Sequence, residues 1–326
     1  MALTEPVTDA LPATVAPELP VFSRQTRLLV VAPHPDDETI ATGLLIQQVR
    51  ASGGEVRVLL LTAGDNNPWP QRWLERRVWV GAVDRQRWGQ RRHAEIVQAL
   101  QRLDLPPSAL ETMGWPDMGL TDCLLQSGSK TASALAEAIA RFQPNLIALP
   151  SIDDRHPDHA AAHVLVRLAL TGQPDPPQLL AYLVHGHARH VGFTDIGGSP
   201  EQAKYKQVAL AAHTSQMALS AGRMRRLAAR PERYTAVVAP STSILPWQPP
   251  VWLQPWLRLS LVSATGTQSW RWRDAPLQRD GQGGYRLAST GKRAAHTRFV
   301  RLASTLPSLW IFDHWGWCEL PDNPSR

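Results

Sequence analysis

Arg27-Leu-Leu-Val-Val-Ala-Pro-His-Pro-Asp-Asp-Glu38 is the stretch on which the fold turns. The apolar run from Leu28 to Ala32 is continuous rather than alternating, which suits a strand buried on both faces, as in a parallel sheet. Helical spacing follows over Glu38–Ser52 and stops at Gly53-Gly54, where a backbone free of Cβ closes a helix well. The unit therefore reads strand, short polar turn, helix, with His34, Asp36 and Asp37 in the turn.

The same alternation continues outward. Glu55–Thr62 and Asn145–Pro150 are further apolar runs, with helical spacing over Arg85–Leu103 and Thr131–Phe142. A helix is expected from Pro157 to about Leu170, because proline fits a first helical turn. A strand follows near Gln178–His185, then one long helix over Glu201–Ser220 and a shorter helical piece to Arg230. This order predicts an α/β fold: a Rossmann-like, doubly wound, mostly parallel sheet. Past about residue 240 Trp and Pro become frequent and short alternating pieces appear, at Trp256–Val262, Ser269–Arg273 and Tyr285–Ala288. The expected division is a flexible tail at 1–25, an α/β domain at 26–240 and a β-rich extension at 241–326.

Composition narrows the classes. Of 326 residues 43% are hydrophobic, enough for a core. No apolar run approaches the roughly 18 residues that span a bilayer. The first 25 residues have neither the basic start nor the apolar segment of a signal peptide. Two cysteines, Cys123 and Cys318, make no disulfide framework, so the expected location is cytoplasmic, with peripheral membrane association left open. A net charge of +6 favours an anionic partner such as a phosphorylated or nucleotide-linked sugar or a lipid head group. The arginines are scattered rather than gathered in a stripe, which argues against nucleic acid.

Two segments carry the chemistry. His34-Pro-Asp-Asp-Glu38 follows the first strand, and Asp153-Asp-Arg-His-Pro-Asp-His159 follows the strand ending at Pro150. Both then sit at the carboxyl edge of one sheet, where open α/β folds bind ligands. His34 and Asp37, three apart across the turn, can converge on one ion, leaving Asp36 free to act on water. Two His and one carboxylate leave a fourth position open, the pattern of a catalytic zinc site. No Gly-x-Ser-x-Gly elbow and no phosphate loop between strand and helix are present.

On these residues the chain resembles the LmbE-like, or PIG-L, family of zinc-dependent N-acetylglucosaminyl deacetylases, whose two motifs, His-Pro-Asp-Asp-Glu and His-Pro-Asp-His, stand here in full. Weaker likenesses lie at Leu61-Thr-Ala-Gly-Asp65, Arg92-His-Ala-Glu95, Gly114-Trp-Pro-Asp117 and Ala211-Ala-His-Thr-Ser-Gln216. The resemblance covers about residues 27–235. It implies hydrolysis of the acetamide of an N-acetylated sugar or sugar conjugate, with acetate and a free amine as products. It implies one Zn2+ (or another divalent metal) per chain on His34, Asp37 and His159, with Asp36 as general base and His156 stabilising the oxyanion and assisting departure of the amine; an imidazolium at that place can meet the developing oxyanion. It associates Arg92, Asp117 and His213 with substrate. Asp158 either orients His156 or caps the helix start. Two other functions stand beside this one: an amide hydrolase on a non-sugar conjugate, and a silent sugar- or lipid-binding protein of the same fold.

The remaining candidates read more plainly. His163, four residues after His159 on the same helix face, is either a further group at the metal or, as the plainer reading, a partly buried helix residue. His185-Gly-His-Ala-Arg-His190 invites a second metal site but reads better as a polar loop near the mouth of the site, within reach of substrate. Trp69, Trp73, Trp79 and Trp88 lie in a long loop after the second strand, Trp79 and Trp88 as packing and the loop as an aromatic wall. That loop departs from the family pattern at Asp65-Asn-Asn-Pro68. Trp310-Ile-Phe312 and Trp315-Gly-Trp317 are expected to pack on the main domain.

Overall fold

The computed structural model describes residues 18–186, 192–288, 297–306 and 311–321. Its centre is a seven-stranded sheet of β1 (Arg27–Ala32), β2 (Glu55–Thr62), β3 (Leu110–Trp115), β4 (Leu146–Pro150), β5 (Gln178–Tyr182), β6 (Thr194–Ile196) and β7 (Glu232–Ala236). The order across the sheet is β3-β2-β1-β4-β5-β7-β6. The first five strands are parallel; β7 runs antiparallel to β5 and to β6.

Seven helices accompany it: α1 (Asp37–Ala51), α2 (Pro68–Glu75), α3 (Ala82–Arg102), α4 (Leu120–Phe142), α5 (Pro157–Ala169), α6 (Pro200–Leu210) and α7 (Thr214–Ala228). The unbroken apolar run of β1 has its explanation here. Leu28, Val30 and Ala32 enter one core with residues of α1 and α3, while Leu29 and Val31 enter a second with residues of α4 and α5. Alternate side chains of a strand point to opposite faces, and both faces are covered. The chain leaves β1 for β2 on one side and reaches β4 on the other, so the edge above β1 and β4 is the switch point of the sheet.

The remaining strands form the β-rich part. These are β8 (Ile244–Leu245), β9 (Leu257–Ser263), β10 (Gly266–Arg271), β11 (Leu277–Arg279), β12 (Tyr285–Leu287), β13 (Arg298–Ser304) and β14 (Gly316–Leu320). They make a four-stranded sheet, β10-β9-β13-β14, and a three-stranded one, β11-β12-β8. Val262, Phe299 and Trp317 join the core of α4 and α5, so the four-stranded sheet packs on the outer face of those helices. Trp317 packs as expected, whereas Trp310 lies outside the described residues.

Four expectations are corrected. The long helix over Glu201–Ser220 is two helices, broken at Ala211–His213. The buried Glu95 carboxylate accepts the Ser215 N–H at 2.9 Å, the Thr214 hydroxyl at 2.7 Å and the Ser215 hydroxyl at 2.6 Å, and so anchors a new helix start. The helix expected from Thr131 begins eleven residues earlier, at Leu120, and kinks at Ser127. The strand after α5 ends at Tyr182 rather than His185, because the N–H groups of Val184 and His185 turn to Asp154. The loop after β2 contains a helix, α2, which Asn67 caps by accepting the Trp69 N–H. Trp88, in α3, is buried as packing, but Trp79, expected to pack, is 84% exposed.

Candidate metal centre

The turn between β1 and α1 is strained. Asp36 sits at φ 118°, a region that costs a non-glycine residue about 1–3 kcal/mol. Its N–H donates to Glu38 Oε2 at 2.9 Å, and its carbonyl accepts the N–H groups of Thr39 and Ile40. The strained turn places Asp36 and Asp37 side by side with different surroundings.

Asp37 is buried, and His34 and His159 converge on it. Its Oδ2 lies 3.3 Å from His34 Nδ1 and 3.2 Å from His159 Nε2. Burial works to raise its pKa, but the two imidazoles hold it well below the usual carboxylate range. His159 Nε2 is buried and, despite its closeness to Asp37, has no hydrogen-bond partner among the described residues. The other ring nitrogen of each histidine faces a carboxylate. His159 Nδ1 is 3.1 Å from Asp154 Oδ2, and His34 Nε2 is 3.3 Å from both Asp117 Oδ1 and Asp158 Oδ2. An orphaned nitrogen aimed at a carboxylate, with carboxylates behind both rings, fits a metal ion: ligand histidines use the far nitrogen to fix their tautomer. Asp37 and Asp154 outweigh burial and raise the pKa of His159 to about 10.

Asp36 lines a cavity of about 480 Å3, as His34 and Asp37 also do. Burial raises its pKa to about 6, against the pull of Arg92, whose Nη2 is 3.4 Å from Oδ2. His156 lines the same cavity. Its Nδ1 accepts the Asp158 N–H at 3.3 Å, which leaves Nε2 to carry the proton. Burial, together with the neighbouring histidines 34, 159 and 185, pushes its pKa down, which favours the neutral N–H form over the imidazolium considered above.

The other candidates divide. Asp117 lines the cavity, and its Oδ2 accepts the Asn66 N–H at 2.6 Å; His34 holds its pKa down to about 2 against burial. Arg92 also lines the cavity, yet is only 4% exposed, with its guanidinium donating to the carbonyls of Gly64 and Pro35. A Cβ on Gly64 would stand 1.9 Å from Arg92 Nη1, which explains the glycine there. His213 does not reach the cavity: it is fully buried, with Nε2 3.0 Å from Glu38 Oε1. The Asp158 carboxylate does not orient His156. It accepts the N–H groups of Met118 and Leu120 at the start of α4 and contacts His34. His163 is buried, with Nδ1 2.9 Å from the Pro150 carbonyl oxygen, clear of the centre.

Three residues join that the motifs did not mark. Asp154 accepts the N–H groups of His156, Val184 and His185 as well as facing His159. His185 packs 5.0 Å from the His159 ring, closer in than a loop at the mouth; His187 and His190 lie outside the described residues. Phe312, from the β-rich part, stacks 5.5 Å from His185 and walls the cavity. Asp154 was legible as an acid two residues before His156; nothing local marked Phe312.

Comparison with known proteins fits this geometry. Residues 29–170 match the family described as PIG-L: GlcNAc-PI de-N-acetylase. Over those residues the chain is similar to this family. The chain is 34% identical over 153 residues to a 1D-myo-inositol 2-acetamido-2-deoxy-alpha-D-glucopyranoside deacetylase of Nocardia farcinica, covering 42% of this chain and 49% of that protein. It is 29% identical over 194 residues to the protein of the same name from Mycolicibacterium vanbaalenii, covering 54% and 66%. The chain thus spans about half to two thirds of the length of these relatives. Among solved structures, the A40926 pseudoaglycone deacetylase shares the fold with a TM-score of 0.50 at 19% identity, over 62% of this chain and 87% of that one. A triple mutant of a deacetylase from the teicoplanin biosynthetic pathway does so at 0.50 and 19%, over 67% and 100%. No helix among the described residues is long and apolar enough to cross a membrane.

Proposed function

We propose that this protein hydrolyses the acetamide of an N-acetylglucosamine-type sugar conjugate, with one zinc ion held by His34, Asp37 and His159. The observation that carries the reading is the buried His159 Nε2, without a partner among the described residues, beside Asp37, which lines the same cavity as Asp36. The similarity to the PIG-L family and the names of the relatives support the acetamide and the sugar.

Zinc at that position would supply Lewis acidity toward a carbonyl oxygen and toward water. The protein's own groups do the rest. Asp36, with a pKa near 6, is charged at neutral pH yet basic enough to take a proton from the attacking water, and it can pass that proton to the departing amine. Arg92 holds Asp36 in place. His156 donates from Nε2 to the oxygen that gains charge as the carbonyl carbon becomes tetrahedral. Asp154 and Asp158 keep the two histidine ligands oriented. Asp117 and Arg223 offer polar contacts to sugar hydroxyls or an anionic group, and Trp69, Ile311 and Phe312 give the cavity an apolar side for the rest of the conjugate. The two free cysteines suit a reducing compartment, and we place the protein in the cytoplasm on that ground.

The test is a panel of N-acetylglucosamine conjugates bearing inositol, nucleotide and lipid groups, assayed for acetate and free amine together. Equal amounts of both products from at least one conjugate are expected. Binding without release of either, across the panel, would identify a silent binding protein instead.

A further inference from the structure

The segment from Pro68 to Arg91 exposes apolar side chains in a way the hydrolytic site does not require. Trp69 and Trp73, four residues apart on one face of α2, are 65% and 66% exposed. In the turn that follows, Val78 is 76% exposed, Trp79 84% and, at the start of α3, Val83 74%. Side chains this open project from the surface, so they suit a medium that yields around them better than a matched groove.

Charge accompanies them. The segment holds six arginines against two acids, a net charge of +4 out of +6 for the chain. Arg77 and Arg87 are held by Asp84 and Glu75, which fixes the turn from behind. Arg72 lies 5.1 Å over the Trp69 ring, and Arg76, exposed and in the left-handed conformation that ends α2, pairs with no acid among the described residues. Tryptophan favours the zone between water and hydrocarbon, and neighbouring arginines favour anionic head groups.

We propose that α2 and the turn to α3 dock the protein on an anionic lipid surface, with Trp73 and Trp79 inserted and Arg76 on the head groups. Trp69 belongs both to this face and to the wall of the cavity, so docking brings the mouth of the site to the lipid. The inference stands whether or not the proposed reaction is correct, because its test reads binding alone.

The full chain is sedimented with vesicles of phosphatidylcholine alone and of phosphatidylcholine mixed with phosphatidylglycerol. Binding to the mixed vesicles is expected, with a blue shift of tryptophan emission and weakening by salt. The double substitution W73A/W79A and the single R76E should each reduce binding about tenfold or more, with an unchanged far-UV spectrum and melting temperature. Trp252→Ala, removing a tryptophan that is 74% exposed elsewhere in the chain, should leave binding unchanged. No binding, equal binding to neutral vesicles, or loss only in Trp252→Ala would overturn the proposal. So would light scattering that shows wild type as a dimer and W73A/W79A as a monomer, which would make the face a contact between copies.

Discussion

Two groups of buried charge lie along α1, one at its N-terminus and one at its middle. They are built on opposite principles. At the middle, Lys206 Nζ and Glu232 Oε1 are 2.6 Å apart, each side chain only 1% exposed. Glu232 also accepts the N–H groups of Leu44 and Leu45, and the Tyr234 hydroxyl bridges Glu232 Oε2 at 3.0 Å and the Ala41 carbonyl oxygen at 2.8 Å. Gly43 lets the Lys206 stem lie against the helix: a Cβ there would meet Lys206 Cγ at 3.1 Å. Both charged ends are matched; Glu232 borders a second cavity of about 380 Å3, but neither residue lines the one that Asp36 lines. At the N-terminus, His34, Asp37 and His159 are equally buried, but one nitrogen is left without a partner among the described residues and Asp36 opens onto a cavity. Buried charge alone therefore does not mark a site; convergence with one valence unfilled, next to open space, does.

This contrast can be broken by substitution. The largest effect is expected at the open cluster. Asp37→Asn should lose the metal, measured by elemental analysis, and lower acetate release by about a thousandfold or more, since Lewis-acid stabilisation is worth several kcal/mol. Its far-UV spectrum should stay that of wild type. Next comes the closed cluster. Lys206→Met leaves Glu232 buried and unpaired and should cost about 3–5 kcal/mol in denaturant unfolding, with metal content per folded chain unchanged. If Lys206→Met instead empties the metal site while stability holds, the two clusters are one unit and the contrast fails. A smaller effect belongs to the group behind His159. Asp154→Asn keeps its shape but loses the charge facing Nδ1, and should weaken zinc affinity about 10–100-fold by competition with a chelator.

The sequence showed the open cluster far better than the closed one, for a physical reason. His34, Asp36, Asp37, His156 and His159 fall in two short segments, each after a strand, so local spacing carries them. Lys206, Glu232 and Tyr234 come together only because α6 and β7 both pack on α1, and no local pattern reveals a pairing 26 residues apart. The same limit hid the break between α6 and α7, where Glu95 of α3 supplies the anchor, and Phe312, which reaches the cavity from the far end of the chain. Four strands of the sheet, β1, β2, β4 and β5, were legible because apolar runs buried on two faces are a strong signal, whereas β3, β6 and β7 towards its edges, with mixed burial, carried no such run. The small helix α2 was not, since three tryptophans and two prolines in and after it read as a loop. In the β-rich part short alternation marked β9, the end of β10 and β12, while the other strands and the register came from contacts between distant strands.

The central claim is that a metal held by His34, Asp37 and His159 and a proton acceptor at Asp36 act together on an acetamide. The measurement that tests it most directly is acetate release from the best N-acetylglucosamine conjugate by chelator-stripped protein, with zinc then restored stepwise, in wild type and in Asp36→Asn. Wild type should regain full activity at about one zinc per chain. Asp36→Asn should bind the same amount of zinc and remain about 100- to 10,000-fold slower. Activity that survives stripping, or an Asp36→Asn protein as fast as wild type, would contradict the account.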